Sequence, residues 1–404
     1  MPKLNDYRQF DGLHWETGSI RNYFAYRGFK APHTNKPFTE AMLLGISGGA
    51  VMGYFSFAYE GYEPHVAILT RNTFSPMETT LERLGVEQTI LQTSKPDKAL
   101  ADLVDTLEGG IPPIVWADIF SLPYNMLPYD EGMWQMLPIV VFGYEADTGT
   151  VWIADRARVP LTVTPAELAA ARARVKKTKF RLLTLDIPNP DKLLTAVQKG
   201  IWDCIKLYTE APPKGSKTNF GFAAFKRWAD LLTKPNQRLS WAKEFPVGIK
   251  MYAGLTSAFD NIAIIGKNGR DQDADRVMYA DFLDEASLVL NKPSLREVAR
   301  LFRTSAQAWR ELAEALLPEN IPMFKETRNL MLRKHRLFLD QGNAAQSAIQ
   351  QINTRLVEIK DEVTLDFPLN ESQVAAMREN LRAHVLKIHD VEQEAIRMLQ
   401  AAMA

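Results

Sequence analysis

The chain holds one cysteine, Cys204, among its 404 residues, so no internal disulfide can form. It has no excess charge of either sign: 48 Lys and Arg balance 48 Asp and Glu, which leaves no global field to draw in nucleic acid or an anionic membrane. It also lacks an uninterrupted apolar run of the roughly 18 residues that a membrane span needs. The richest segment, Ala41 to Tyr59, is broken by glycines and serines. The opening residues Met1-Pro2-Lys3-Leu4-Asn5-Asp6 lack the apolar core of a signal peptide, and a cytoplasmic protein without a membrane segment is expected. Histidines 33, 65, 335, 384 and 389 show no ligand spacing. Asp271, Asp273 and Asp275 imitate the start of a calcium loop, but Arg276 and Phe282 stand where Gly and Glu are required. No metal and no cofactor are expected.

What the chain does have is apolar content, 46%, enough for more than one core in two or three domains. Helices are expected over 16–28, from Thr39, over Ser75–Leu84, Lys95–Leu107 and Pro165–Val175. The short apolar runs Val66–Leu69, Ile114–Ala117, Ile139–Phe142, Val151–Ala154 and Phe180–Ile187 read as strands. Asp147-Thr148-Gly149 joins two of them as an antiparallel hairpin. Gly45, Gly48, Gly49 and Gly53 do not have dinucleotide-loop spacing and read as tight turns where helix and strand approach closely. This is an α+β pattern over residues 1–188, closed by Pro188-Asn189-Pro190.

Beyond that boundary the chain turns helical. Lys192–Tyr208, Gly221–Leu232, Arg276–Leu290, Ser294–Leu316 and Lys325–Asp361 carry apolar residues three and four apart, placing a helical domain over 189–365. Ile349, Ile352, Leu356, Ile359 and Val363 form a seam suited to a helical hairpin or coiled coil. A last helix, in 366–404, starts at Asn370 with Gln373 reaching back to close a capping box. Its stripe and that seam are expected to pack within the chain, with a homodimer through these C-terminal helices as the alternative.

One stretch stands out near the start: His14-Trp15-Glu16-Thr17-Gly18-Ser19-Ile20-Arg21-Asn22 leads into a helix whose N-terminus would suit a nucleophile. With it go Thr39-Glu40-Ala41-Met42 through Gly45, Gly48, Gly49 and Gly53 to Tyr54-Phe55. Pro113 to Asp118, Leu122-Pro123-Tyr124, Ile139 to Tyr144 and Val151 to Asp155 complete the set. Together these stretches resemble the butirosin biosynthesis protein H N-terminal domain family, papain-like relatives that include acyltransferases moving an aminoacyl group from a carrier thioester to an amine. Asn219-Phe220-Gly221, Lys226-Arg227-Trp228-Ala229 and Tyr279 to Ala286 resemble the helical domain of unknown function that commonly follows it. The resemblance implies a papain-like fold for the first domain. It also implies a nucleophilic Cys where Trp15 stands and a general-base His near Leu137, while Asp155 matches the third, orienting member.

The candidate residues follow from this. His14 is either a packed imidazole or one that binds a carboxylate or carries a proton, and Glu16 is either a replacement base or an acid suited to a helix start. Asp155 and Asp118, at strand ends, read equally as turn anchors paired with Arg156, Arg158 or Arg21 and as a site for an amine. Tyr124, Asp130, Glu131 and Trp134 lie on the loop above the expected cleft, so Trp15, Asp118, Tyr124, Trp134 and Arg156 are the ligand-binding candidates. Arg172, Arg174, Lys176, Lys177, Lys179 and Arg181 form a basic run that reads as a solvated helix end or as a surface for an acyl carrier protein. Cys204 reads as a buried structural thiol. The expected function is a catalytically inactive relative whose cleft binds a small molecule or partner. The alternatives are a transferase or amide hydrolase working without a Cys nucleophile, and a structural subunit.

Overall fold

The computed structural model describes residues 2–128, 131–176, 180–264 and 272–404; Asp130, Lys177, Lys179 and Asp271, named above, lie outside the described residues. The chain begins with α1 (Trp15–Tyr26), the short strands β1 (Lys30–Ala31) and β2 (Lys36–Pro37), and α2 (Glu40–Ile46). Next come β3 (Ala50–Phe57), β4 (His65–Arg71), α3 (Pro76–Arg83), β5 (Gln88–Leu91), α4 (Pro96–Glu108) and β6 (Ile114–Asp118). The hairpin is β7 (Met136–Glu145) and β8 (Thr150–Ala154), followed by β9 (Leu161–Val163), α5 (Pro165–Ala173) and β10 (Leu182–Leu185).

After β10 the chain is helical: α6 (Leu193–Thr209), α7 (Gly221–Thr233), α8 (Trp241–Glu244), α9 (Ile249–Ala263), α10 (Arg276–Val289) and α11 (Leu295–Leu316). Then come α12 (Pro322–Gln341), α13 (Gln346–Leu365) and α14 (Glu371–Met403). The fold is α+β, with antiparallel sheets in the first half and helices in the second. Among the described residues no helix is long and apolar enough to cross a membrane.

Two compact units partition the chain. One takes in Met1–Leu43, Met77–Leu193 and Lys334–Gln351; the other takes in Leu44–Pro76, Leu194–Arg333 and Ile352–Ala404. The first is built on a six-stranded sheet in the order β5-β10-β6-β7-β8-β9, antiparallel throughout. Its central strand β7 is buried over most of its length, which fits the unbroken apolar run that encodes it. Helix α1 packs on β7, and Ser19 Oγ donates to Pro138 O at 3.1 Å. Thr164 and Glu167 close a capping box on α5.

In the second unit the Glu392 carboxylate and Arg276 guanidinium are both fully buried. Arg276 Nε donates to Glu392 Oε1 at 2.7 Å and Nη2 to Oε2 at 3.1 Å. Arg276 also donates to the carbonyls of Thr70, Ala274 and Val51. Ser305 Oγ and Trp309 Nε1 donate to Glu392 Oε1, and Tyr208 Oη donates to Oε2. The pair is thus satisfied on every side, the condition under which buried charge is tolerated.

One expectation about helices changes. The stretch 325–361 is not one helix: Gly342, at φ +52°, separates α12 from α13. The stripe of the last helix packs within the chain, as expected. The stripe of α14, Val374 through Met403, is buried mainly against α11 and α7, while Arg355 of α13 pairs with Glu326 of α12. The Asn370–Gln373 capping box is present. The glycines after α2 do permit close approach: a Cβ on Gly49, at φ +70°, would lie 2.3 Å from the Tyr279 ring.

Candidate functional site

The residues of interest gather at one end of the sheet in the first unit. Strand β7 starts at Met136 and β8 ends at Ala154, which is paired with Val140, so Leu137 and Asp155 belong to the same end. Leu137 is buried and paired with Ala117 of β6. The Ser19–Pro138 bond brings the start of α1 to this end, and Trp15 is the first residue of α1.

His14 occupies the N-cap but makes no side-chain cap bond. The capping acceptor is Glu40, whose Oε2 takes the Leu13 N–H at 2.7 Å and whose Oε1 takes the His14 N–H and the Thr17 hydroxyl, each at 2.9 Å. The His14 imidazole is buried, with Nδ1 3.6 Å from Glu40 Oε1. Glu16 sits in the first turn of α1, where its charge suits the dipole.

At the end of β8, Asp155 Oδ1 accepts from the Arg156 N–H at 2.7 Å and from Arg156 Nε at 3.2 Å. The Tyr124 hydroxyl donates to Asp155 Oδ2 at 3.2 Å. Burial, with the Asp155 charge adding to it, holds the Tyr124 phenol well above its ordinary range, so it remains a donor. Arg156 Nη2 donates to Asn125 Oδ1 at 2.6 Å. The guanidinium lies 4.0 Å from the Trp15 ring centroid and 5.0 Å from that of Phe338, a cation–π arrangement on two aromatic rings. Trp15 is only 7% exposed, and its indole N–H is buried without a hydrogen-bond acceptor among the described residues.

Four of the five ligand-binding candidates, with His14 and Asp155 of the catalytic ones, can therefore be placed by contact, and Glu16 by its position in α1. Trp15, Tyr124, Asp155 and Arg156 form one cluster, and His14 and Glu16 flank it on α1. Asp118 does a different job: fully buried, it accepts from Phe120 N, Gln135 N at 2.8 Å and Ser121 Oγ at 2.6 Å, anchoring the turn after β6. Trp134 is 56% exposed. Beside Asp118 runs an open groove of about 580 Å³ lined by Phe120, Leu127, Glu167 and Arg174.

The basic run is partly spent inside the fold. Arg172 is buried, bonds Phe180 O at 2.8 Å, and burial pushes its guanidinium down to about 10. Arg174 donates to Glu131 O at 2.8 Å and lies 3.8 Å from Asp118, while Lys176 is exposed. In the second unit Cys204 is buried, with Sγ 3.2 Å from Ala50 O. Among the described residues no cluster of His, Cys, Asp and Glu could hold a metal.

Sequence reasoning did not single out Glu40, Asn125 or Phe338 as site residues. Glu40 lay within a quoted motif and had a signal; Phe338 comes from nearly 200 residues downstream and had none. Residues 14–156 match the family model described as butirosin biosynthesis protein H, N-terminal, and residues 275–321 match the domain of unknown function DUF4872. No curated protein matches the chain.

Proposed function

We propose that this chain, which carries a butirosin biosynthesis protein H N-terminal domain followed by DUF4872, is a catalytically inactive relative of cysteine-dependent acyltransferases that uses the former site for binding. In this reading the first unit has a papain-like plan. Trp15 stands at the nucleophile position at the head of α1, Leu137 at the base position on β7, and Asp155 at the orienting position after β8.

The observation that carries the reading is what Asp155 does. An orienting carboxylate holds an imidazole; here its two oxygens take Arg156 and Tyr124, and Arg156 lies over the indole that replaces the thiol. Neither Trp nor Leu can attack an acyl carbon or move a proton, and loss of a nucleophile or base costs about 10⁶-fold in a hydrolase. Binding is favoured by the buried Trp15 indole N–H, because an unmet donor costs about 1–3 kcal/mol that an acceptor on a small molecule or partner would recover.

A transfer without a covalent intermediate has one observation in its favour, the His14 imidazole beside Glu40 at the start of α1. The two readings separate in a turnover assay with aminoacyl thioesters and a pool of amines. The binding reading requires no consumption of thioester above background by the native protein. Turnover that disappears in His14→Ala would establish the transferase reading instead.

A further inference from the structure

In the second unit the end of α6, the start of α7 and residues 393–400 of α14 border a pocket of about 460 Å³. Its floor is apolar and held in place. Phe220 and Ile396 are buried, Phe222 packs on the Tyr208 ring with centroids 5.2 Å apart, and the Tyr208 hydroxyl bonds both Glu392 and Arg276. A concave apolar surface with a few charged groups on its rim is the usual form of a small-molecule site, and a fixed floor lowers the cost of binding.

Three charged side chains reach this rim: Glu210, Lys217 and Arg397. Arg397 is spent on Glu394, with Nε donating to Oε2 at 2.8 Å and Nη2 to Oε1 at 2.6 Å. Glu210 and Lys217 have no ion-pair partner among the described residues, each other included. Both stand at a helix end whose dipole opposes them. Glu210 follows Thr209, the last residue of α6, at the negative pole, where its N–H bonds Lys206 O at 2.7 Å. Lys217 opens the turn that leads to Phe220, the N-cap of α7, at the positive pole, and no side chain caps that helix. Charges chosen for helix stability would be exchanged. As they stand, each reinforces its pole, so the pocket has one negative end and one positive end.

We propose that this pocket binds a small zwitterion with an apolar body, of which an apolar α-amino acid is the simplest. Its ammonium lies at Glu210 and the end of α6, its carboxylate at Lys217 and the start of α7, and its side chain on Tyr208, Phe222 and Ile396. An acid alone would leave Glu210 and its pole unmet, and an amine alone would leave Lys217. The pocket belongs to the second unit, so the proposal stands independently of the Trp15 site.

The test is equilibrium dialysis of the full chain with radiolabelled L-phenylalanine and L-leucine, with unlabelled N-acetyl-L-phenylalanine, L-phenylalaninamide and glycine as competitors. The two labelled amino acids are expected to be retained. The competitors lack the cation, the anion and the apolar side chain in turn, and each should bind at least about 10-fold more weakly than L-phenylalanine, the loss of one charged hydrogen bond or one buried side chain. Glu210→Gln and Lys217→Gln should lose as much while keeping the native melting temperature, because both residues are exposed. Exchanging the two, Glu210→Lys with Lys217→Glu, keeps both charges but turns them against the pocket's poles: this variant should melt no lower than the native protein and bind at least about 10-fold more weakly. No retention of either amino acid at about 1 mM overturns the proposal. So do competitors that match L-phenylalanine, or a folded exchanged variant that binds as the native protein does.

Discussion

Replacing Glu392 by Gln changes one buried atom and should be among the costliest single substitutions in the second unit. The carboxylate accepts five hydrogen bonds, two of them from Arg276. Gln keeps the shape, but it removes the charge that balances a fully buried guanidinium and turns one acceptor into a donor facing other donors. Breaking a buried pair on one side costs about 3–5 kcal/mol, a large part of the roughly 5–15 kcal/mol that holds a domain together. Urea denaturation should show the midpoint falling with the slope unchanged.

The loss should also depend on pH. Burial alone would raise the Glu392 carboxyl, but the Arg276 charge and the hydrogen bonds from Arg276, Ser305 and Tyr208 together hold it below its ordinary value. A depressed folded value contributes stability that is complete above the unfolded value of about 4.3 and is lost as pH falls through the folded one. The gap between native and Glu392→Gln should therefore be full at neutral pH and narrow in acid. A loss below about 1 kcal/mol at pH 7 would refute the reasoning, because a satisfied buried pair cannot be broken so cheaply.

Three further outcomes follow from the same geometry. Arg156→Ala should cost about 3 kcal/mol in chemical denaturation, the low end for a pair broken on one side, because it leaves the Asp155 carboxylate buried without its cation; no change would mean that the Trp15 cluster is not packed as described. Cys204, whose thiol burial pushes up to about 12, should resist maleimide at pH 8 in the native protein and react only on unfolding. Gly200→Ala would place a Cβ 2.1 Å from Gly45 O, and a stability loss of about 1–3 kcal/mol should appear as a lower melting temperature.

The parts of the fold that were legible in sequence are those fixed by local chemistry. The Asn370 capping box and the Asp147–Gly149 hairpin turn each depend on residues within a few positions of each other. Strand β3 was not legible because its glycines, Gly49 beside it and Gly53 within it, have low strand propensity; they are there to admit the Tyr279 ring and the Leu69 side chain. Helix α9 was hidden by Gly254, Thr256, Ser257 and Asn261, poor helix formers. Ser257 and Asn261 accept the Val66 and Ile68 N–H groups of β4.

Trp15, Asp155 and Leu137 became candidates through a resemblance, and of these Trp15 and Asp155 meet through Arg156. The roles of Asp118 and Arg172 could not be separated from those of Asp155 and Arg156, since burial and partner are set by tertiary contacts. Phe338 and Asn343 reach the first unit from beyond residue 333, and nothing local marks them.

The central claim is that Trp15 and Leu137 occupy the places of a nucleophile and its base while Asp155 keeps the third. The most direct measurement is the intact mass of Trp15→Cys/Leu137→His after incubation with an acyl thioester, beside the native protein and the same variant carrying Asp155→Ala. An acyl adduct on the double variant, absent from the native protein and much slower to form with Asp155→Ala, is the predicted result. An adduct on the native protein, or a folded double variant that gains none, would contradict it.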